Sequence, residues 1–263
     1  MTSFEVKTSL APITDAALPS GALQVRSETE SRSDLAKRSE VKFVITGADF
    51  TAVRRLLEVN CRRIVHHDPV SVVRSVYLDD DQLSCCYANL NGLGIRNKVR
   101  LRWYDSLLPD RTVYLEFKWR KSRVTGKHRY EVRSERPLTE ITYDRLFRDL
   151  EPSLPGELCG ILLRNPRPIV LVEYHREHFV SWDQQIRLTI DYQLAFYDQG
   201  GRATFTADFV HRMPDVVILE AKGPVGTEGR IQEILFPLQV RAARFSKYVH
   251  GCHALGLIAL DRS

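Results

Sequence analysis

A chain of 263 residues with 43% hydrophobic and 27% charged side chains has the composition of a globular protein with a sizeable core, which excludes collagen-like and wholly disordered classes. Its formal net charge of +5 admits nucleic acid, phosphate or acidic lipid as partners without choosing among them. Cys61, Cys85, Cys86, Cys159 and Cys252 form no CxxC pair or zinc spacing, and their odd number argues against a disulfide framework, so inert thiols in a reducing compartment are expected.

The start, MTSFEVKTSLAP, lacks the apolar core of a signal peptide, and runs such as Pro168–Val172 and Leu255–Leu260 are too short to span a bilayer. The expectation is a soluble, cytoplasmic protein that reaches a membrane only through a partner. Residues 1–36 are rich in Ser, Thr, Ala and Glu without periodicity and read as a flexible tail. Residues 37–263 contain no repeat and no dividing linker, and read as one domain. It opens with a strand over Glu40–Ile45, with Glu40 and Lys42 on one side. Thr46, with Asp49 three residues on, predicts the cap of a helix bearing Phe50, Val53, Leu56 and Leu57. The pair His66-His67 before Asp68 reads as surface loop, since adjacent strand residues point to opposite faces. Val70–Asp79 is β-rich, and Gln82–Ala88 predicts a short helix.

The segment Lys98–Arg133 then alternates with a period of two in three runs. Val99, Leu101 and Trp103 oppose Lys98, Arg100 and Arg102. Val113, Leu115, Phe117 and Trp119 oppose Glu116, Lys118 and Arg120. His128, Tyr130 and Val132 oppose Lys127, Arg129, Glu131 and Arg133. Paired as hairpins, these strands place a strongly cationic set on one surface, with Glu116 and Glu131 its only acids. Like charges ~6 Å apart at an effective dielectric of ~20 repel by about 3 kcal/mol before screening. Either solvent covers that face, or a polyanion does.

Beyond it, Thr139 predicts a helix closed by Pro152 and Pro155, with Ile141, Leu146, Phe147 and Leu150 as its apolar positions. Ile169–Val180, Ile186–Tyr192 and Val216–Lys222 read as strands, and the chain ends in helical sequence broken at Pro237 and stopped at Gly251. The fold class is α+β, with a mostly antiparallel sheet. Curled into a barrel, that sheet would turn Lys42, Arg176, Arg187 and Lys222 inward with Tyr174, Glu40 and Glu220. Buried like charges persist only with counterions, and a triphosphate or polyphosphate supplies many oxygens at once. Glu220 could hold a divalent metal alongside those oxygens. The glycine-rich Gly223–Arg230 is not a P-loop, and no HExxH, GxSxG or kinase signature occurs. Trp103 and Trp119 have the parity of the apolar face, which disfavours them as nucleic-acid stacking platforms.

The motifs Glu40-Val41-Lys42, Ser75-Val76-Tyr77-Leu78-Asp79, Arg100-Leu101-Arg102-Trp103-Tyr104, Leu115-Glu116-Phe117-Lys118 and Lys127-His128-Arg129-Tyr130 occur in the order of the VTC domain, which the chain resembles. Tyr174-His175-Arg176, Leu219-Glu220-Ala221-Lys222 and Phe245–Gly251 continue the match, from about Lys37 to Leu260. This is the polyphosphate polymerase domain of the vacuolar transporter chaperone complex. The resemblance implies a triphosphate tunnel, an antiparallel β-barrel with flanking helices shared with CYTH-type triphosphatases. It implies transfer of the ATP γ-phosphoryl group to inorganic polyphosphate, with Mn²⁺ as the cofactor and Mg²⁺ as the alternative, and a separate membrane protein as a partner. Matched by position, Lys42, Arg100, Arg102, Lys118, Lys127, Arg176 and Lys247 form the catalytic phosphate-binding set. Arg129, Tyr174, Arg187, Lys222 and Ser246 join the substrate contacts, and Glu220 matches the metal ligand. CYTH hydrolases begin ExExK, whereas this chain has Arg38 at the first acidic position, which disfavours hydrolysis as the main activity. A tunnel-fold triphosphatase and a non-catalytic polyphosphate-binding module are the competing readings.

Overall fold

Alternation in the three cationic runs yields long strands because each can seal one face while its other face carries charge. The structure, a computed structural model, describes residues 23–28, 38–47, 50–104, 106–122 and 124–259, Arg38 by its backbone alone. In chain order the elements are β1 (Gln24–Ser27), β2 (Arg38–Thr46), α1 (Phe50–Asn60), β3 (Cys61–Ile64), β4 (Ser71–Asp79), α2 (Ser84–Leu90), β5 (Ile95–Trp103), β6 (Thr112–Lys121) and β7 (Val124–Arg133). There follow α3 (Tyr143–Leu150), α4 (Gly156–Arg164), β8 (Arg167–Ser181), β9 (Arg187–Asp198), β10 (Val210–Met213), β11 (Val216–Pro224), α5 (Glu228–Leu235) and α6 (Lys247–Ala254).

All the strands join one antiparallel sheet, in the order β1-β7-β6-β5-β4-β8-β9-β11-β2, with β3 beside β8 and β10 beside β9. Among the described residues no ladder joins β1 to β2, so the expected barrel is an open, curled sheet rather than a closed one. The curl is deep. Lys118 on β6 feels the charge of Lys222 on β11, and Lys98 on β5 that of Lys42 on β2. In a flat sheet, strands five places apart would be separated by about 24 Å.

Three apolar clusters hold this shape. Outside the cationic strands, Val99, Leu101, Trp103, Val113, Leu115, Phe117 and Val132 pack beneath α3 and α4 through Leu146, Leu150 and Leu162. Outside β2, β9 and β11, Phe43, Leu188 and Leu219 pack against Val53 and Leu57 of α1 and Ile231 of α5. The third cluster lies on the concave face, where α6 and α2 pack against Val73, Tyr77, Val170, Val172 and Phe196. Asp79, fully buried, locks this insert: it accepts from the backbone N–H groups of Asp80, Cys85 and Cys86 and from the Tyr248 hydroxyl at 2.6 Å.

Several local expectations change. Thr46 ends β2 opposite Val216 rather than capping α1, and Asp49 lies outside the described residues. Thr139 falls in a 3-10 turn over Leu138–Glu140, and Thr142 caps α3 by accepting from Arg145 N. Gly251 does not stop α6. It sits inside the helix, where an added Cβ would lie 2.8 Å from Phe196 Cδ1, and the left-handed turn comes at Gly256 with φ +73°. The tail read as flexible contributes β1, paired with β7, and its other residues apart from Leu23 and Glu28 lie outside the described residues. Cys61, Cys86 and Cys252 are buried free thiols, and Cys85 and Cys159 are free and half-buried. No helix among the described residues is long and apolar enough to cross a membrane.

Candidate polyanion site

The inward face of β5, β6 and β7 is ruled into rows by strand register. Lys98, Lys118 and Lys127 form one row, and Arg100, Glu116 and Arg129 the next. Beyond these comes Arg102 with Tyr114 and Glu131. Glu116 is fully buried and serves the whole wall. It receives Arg100 Nε at 2.7 Å and Lys127 Nζ at 2.6 Å, while Arg102 and Arg129 approach to 3.9 Å. Burial alone would raise its pKa, but Arg100, Arg102, Lys118 and Lys127 hold it far below the carboxylate range.

One carboxylate cannot balance this wall. Lys118, whose side chain is open to solvent, has no hydrogen bond or ion pair among the described residues, and the charge of Arg100 is the chief cause that sets its pKa well below the usual lysine value. Lys98 donates to Ser246 Oγ at 3.0 Å, a neutral partner, and burial pushes it down to about 8. Tyr77 feels the same field. Burial would raise its pKa, yet Arg100, Arg102 and Lys98 bring it to about 8, with Arg100 donating to its hydroxyl at 2.9 Å. Arg102 donates to Ser75 Oγ at 3.0 Å and to the Tyr174 hydroxyl at 3.4 Å. Arg129 stacks over Tyr114 at 3.8 Å and pairs with Glu28 of the chain beside β1 at 3.0 Å.

The opposing wall is built differently. Asp191, fully buried on β9, accepts both arms of Arg176, at 2.6 and 2.7 Å, and Lys247 Nζ at 2.5 Å. Arg176 and Lys247 drive its pKa down against the effect of burial. The bonds bring α6 onto β8 and β9, with Lys247 Nζ 4.4 Å above the Tyr174 ring. Ser246 caps α6 by accepting from Val249 N. Across β11 and β2, Lys222 lies 2.7 Å from Glu220 and 3.5 Å from Glu40, and Lys42 lies 3.2 Å from Glu40. Burial raises and Lys222, Lys42 and Arg176 lower the Glu220 pKa, the cations prevailing.

The concave face thus brings together all the anticipated side chains except Arg187. That residue shares the inward parity of Thr189 and Asp191 but lies exposed at the end of β9, with no ion pair among the described residues. Lys98, Tyr77 and Asp191 belong to the site and are absent from the anticipated set. Parity marked Lys98 and Asp191, whereas nothing local marks Tyr77, which is held by stacking on Tyr248 at 4.9 Å. His66 rests edge-on against His178, and no group of three or more His, Cys, Asp or Glu among the described residues is placed to hold a metal by itself.

A curled antiparallel sheet with surplus cations on its concave face defines a tunnel-like fold with a candidate polyanion site. The VTC domain family model matches residues 37–256, and the chain belongs to that family. Among solved structures, it is similar to the PH1819 protein of Pyrococcus horikoshii, with TM-score 0.44 and 11% identity over 83% of this chain and 98% of that one. It is also similar to a candidate adenylate cyclase of Bacillus halodurans, with TM-score 0.44 and 11% identity over 80% and 95%. A counterpart from Vibrio parahaemolyticus gives TM-score 0.40 and 12% identity over 82% and 97%. Likeness this distant carries no statement about activity. No curated protein matches the chain.

Proposed function

We propose that this protein is a polyphosphate polymerase, transferring the γ-phosphoryl group of ATP to the end of a growing inorganic polyphosphate chain and releasing ADP. The observation that carries the reading is the row Lys98–Lys118–Lys127, in which only Lys127 has a carboxylate partner among the described residues, flanked by Arg100 and Arg102 and faced by Lys42, Arg176 and Lys247. Such a wall holds its charge against mutual repulsion most readily when phosphate oxygens lie against it.

Phosphoryl transfer asks for alignment and charge neutralisation more than for covalent help. A terminal oxygen of the polyphosphate attacks the γ-phosphorus, and the bond to the β–γ bridging oxygen breaks, leaving its electron pair on ADP. Arg100 and Arg102, fixed by Glu116, Tyr77 and Ser75, present forked donors to the equatorial oxygens, while Lys118 and Lys98 neutralise charge on the acceptor. Arg176 and Lys247, oriented by Asp191, hold the opposite side of the phosphates. Arg129, Lys222, Tyr174 and Ser246 extend the contact surface.

Carboxylate oxygens suit Mn²⁺ or Mg²⁺, and Glu220 with Glu40 offers such donors; an ion of this kind would neutralise charge on the β- and γ-phosphates. Because Lys222, Lys42 and Arg176 crowd Glu220, the metal would bind together with phosphate rather than before it. The setting is the cytoplasm, with any membrane contact made through a partner protein.

Incubation of the purified protein with ATP and Mn²⁺, followed by gel resolution of the products, tests this. Long polymer is expected, and Arg102→Ala or Lys118→Ala should abolish it in a folded protein. Orthophosphate without polymer would assign a triphosphatase instead. Tight polyphosphate binding with no turnover would assign a binding module.

A further inference from the structure

The two ends of the cationic wall are not alike. At one end the inward row is Arg102, Tyr114 and Glu131, with Glu28 brought onto Arg129 from beside β1. Burial raises the pKa of Tyr114, Glu131 and Glu28 add to the rise and Arg129 opposes it, so acids and cations are mixed at that end; Glu131 pairs with Arg133 at 2.9 Å as Glu28 does with Arg129. At the other end the row after Lys98–Lys118 is Arg96 opposite Arg120, with Thr125 beyond. A third arginine joins them. The segment before α6 runs along the edge of β2, with Ala243 N donating to Lys42 O at 2.8 Å, and carries Arg244 to the turn before β5. An added Cβ on Gly92 there would lie only 3.1 Å from Arg244 Nη1.

None of these three guanidinium groups has a carboxylate partner among the described residues. Arg96 donates to Leu93 O at 2.5 Å and Arg120 to Ser122 O at 2.8 Å, so two of the forks are fixed by backbone carbonyls and keep donors free. Burial, then the charges of Arg120 and Arg244, pulls Arg96 below the usual arginine value. An ordinary solvated surface intersperses both signs; this rim carries one sign and continues the inward face of β5 without a break. At the usual strand rise, the line Arg102–Arg100–Lys98–Arg96 is about 20 Å long, with a cation at every inward position.

We propose that Arg96, Arg120 and Arg244 form an anion-binding rim at which a polyphosphate chain leaves the concave site, so that the chain runs along β5 from Arg102 towards Arg96. Short phosphates fill only the inner rows. A long chain reaches the rim as well, because at the other end Glu28 and Glu131 already occupy Arg129 and Arg133. The polymer's synthesis in the trough rests on the proposed polymerase reading, whereas the rim's preference for long chains does not.

The experiment compares tripolyphosphate and long-chain polyphosphate binding by calorimetry, for the wild type and the triple variant Arg96→Ala, Arg120→Ala, Arg244→Ala. Tripolyphosphate affinity should stay within about twofold, while long-chain affinity falls about tenfold from the loss of the three rim charges, with a shallower salt dependence. The triple Arg→Lys variant keeps the charge and should bind long chains nearly as the wild type does. Unchanged long-chain affinity, equal losses for both ligands, or a loss in the Lys variant matching that in the Ala variant overturns the rim. If ATP yields no polymer while the chain-length-dependent loss persists, the polymerase reading fails and the rim stands. If polymer is made while long-chain affinity is unchanged in the triple Ala variant, the rim fails and the polymerase reading stands.

Discussion

The β5–β7 wall and the wall opposite it solve the same electrostatic problem in different ways. On the first, Glu116 serves Arg100, Arg102 and Lys127, Arg129 pairs more closely with Glu28, and Lys118 is left without any partner among the described residues. On the second, acids are shared more evenly: Asp191 holds Arg176 and Lys247, and Glu220 with Glu40 holds Lys222 and Lys42. A buried carboxylate contributes little by mere pairing but fixes the direction of the groups it binds. The difference therefore separates two tasks. The first wall keeps surplus charge for an anion, and the second keeps its cations aimed while staying close to balance.

Breaking the hub of the first wall should have the largest effect. Glu116→Ala leaves Arg100 charged and buried without its carboxylate, at a cost of about 3–5 kcal/mol, or a melting temperature lower by roughly 10 °C. Circular dichroism melts check this, and tripolyphosphate should restore part of the loss by supplying the missing anion. Asp191→Asn should cost less, about 2 kcal/mol, because Arg176 and Lys247 keep some contact with solvent and Glu220 remains near Arg176. Lys118→Ala should have the opposite sign, leaving stability unchanged or raising it by up to about 1 kcal/mol as like-charge repulsion is relieved.

The smallest effect is one of pH. Lys98 has a pKa lowered to about 8, so the free protein loses this charge as pH rises through that value, and a bound anion favours the protonated form. Tripolyphosphate affinity should then fall severalfold per unit above about pH 8, and ionisation of Tyr77 near the same pH acts in the same direction. Titrations across about pH 7–9.5 should show this slope in the wild type and a flatter one in Lys98→Met.

The cationic wall was legible because a two-residue period assigns each side chain to a face without knowledge of its partners. Arg100, Lys118 and Lys127 fall on the inward face as alternation requires, and Glu116, one of the two acids on that face, lies among them. What depends on distant partners was not legible. Asp191 has the right parity, but its second cation, Lys247, comes from a helix far along the chain. Gly251 looks like a helix stop because glycine usually is one; here the missing Cβ lets α6 approach Phe196. The QVRS of β1 has no pattern of its own and becomes a strand by pairing with the edge of β7. Closure of the sheet likewise turns on whether β1 meets β2, which alternation does not encode.

The central claim, that the surplus charge of the β5–β7 wall is the polyanion site, is tested most directly by calorimetric titration of tripolyphosphate into Lys118→Ala and Lys222→Ala at one salt concentration. Lys118→Ala, which removes an unpaired cation, should weaken binding about tenfold or more. Lys222→Ala, which removes a cation already held 2.7 Å from Glu220, should weaken it only about two- to threefold. Equal losses in the two variants, or an unchanged affinity in Lys118→Ala, would contradict the account.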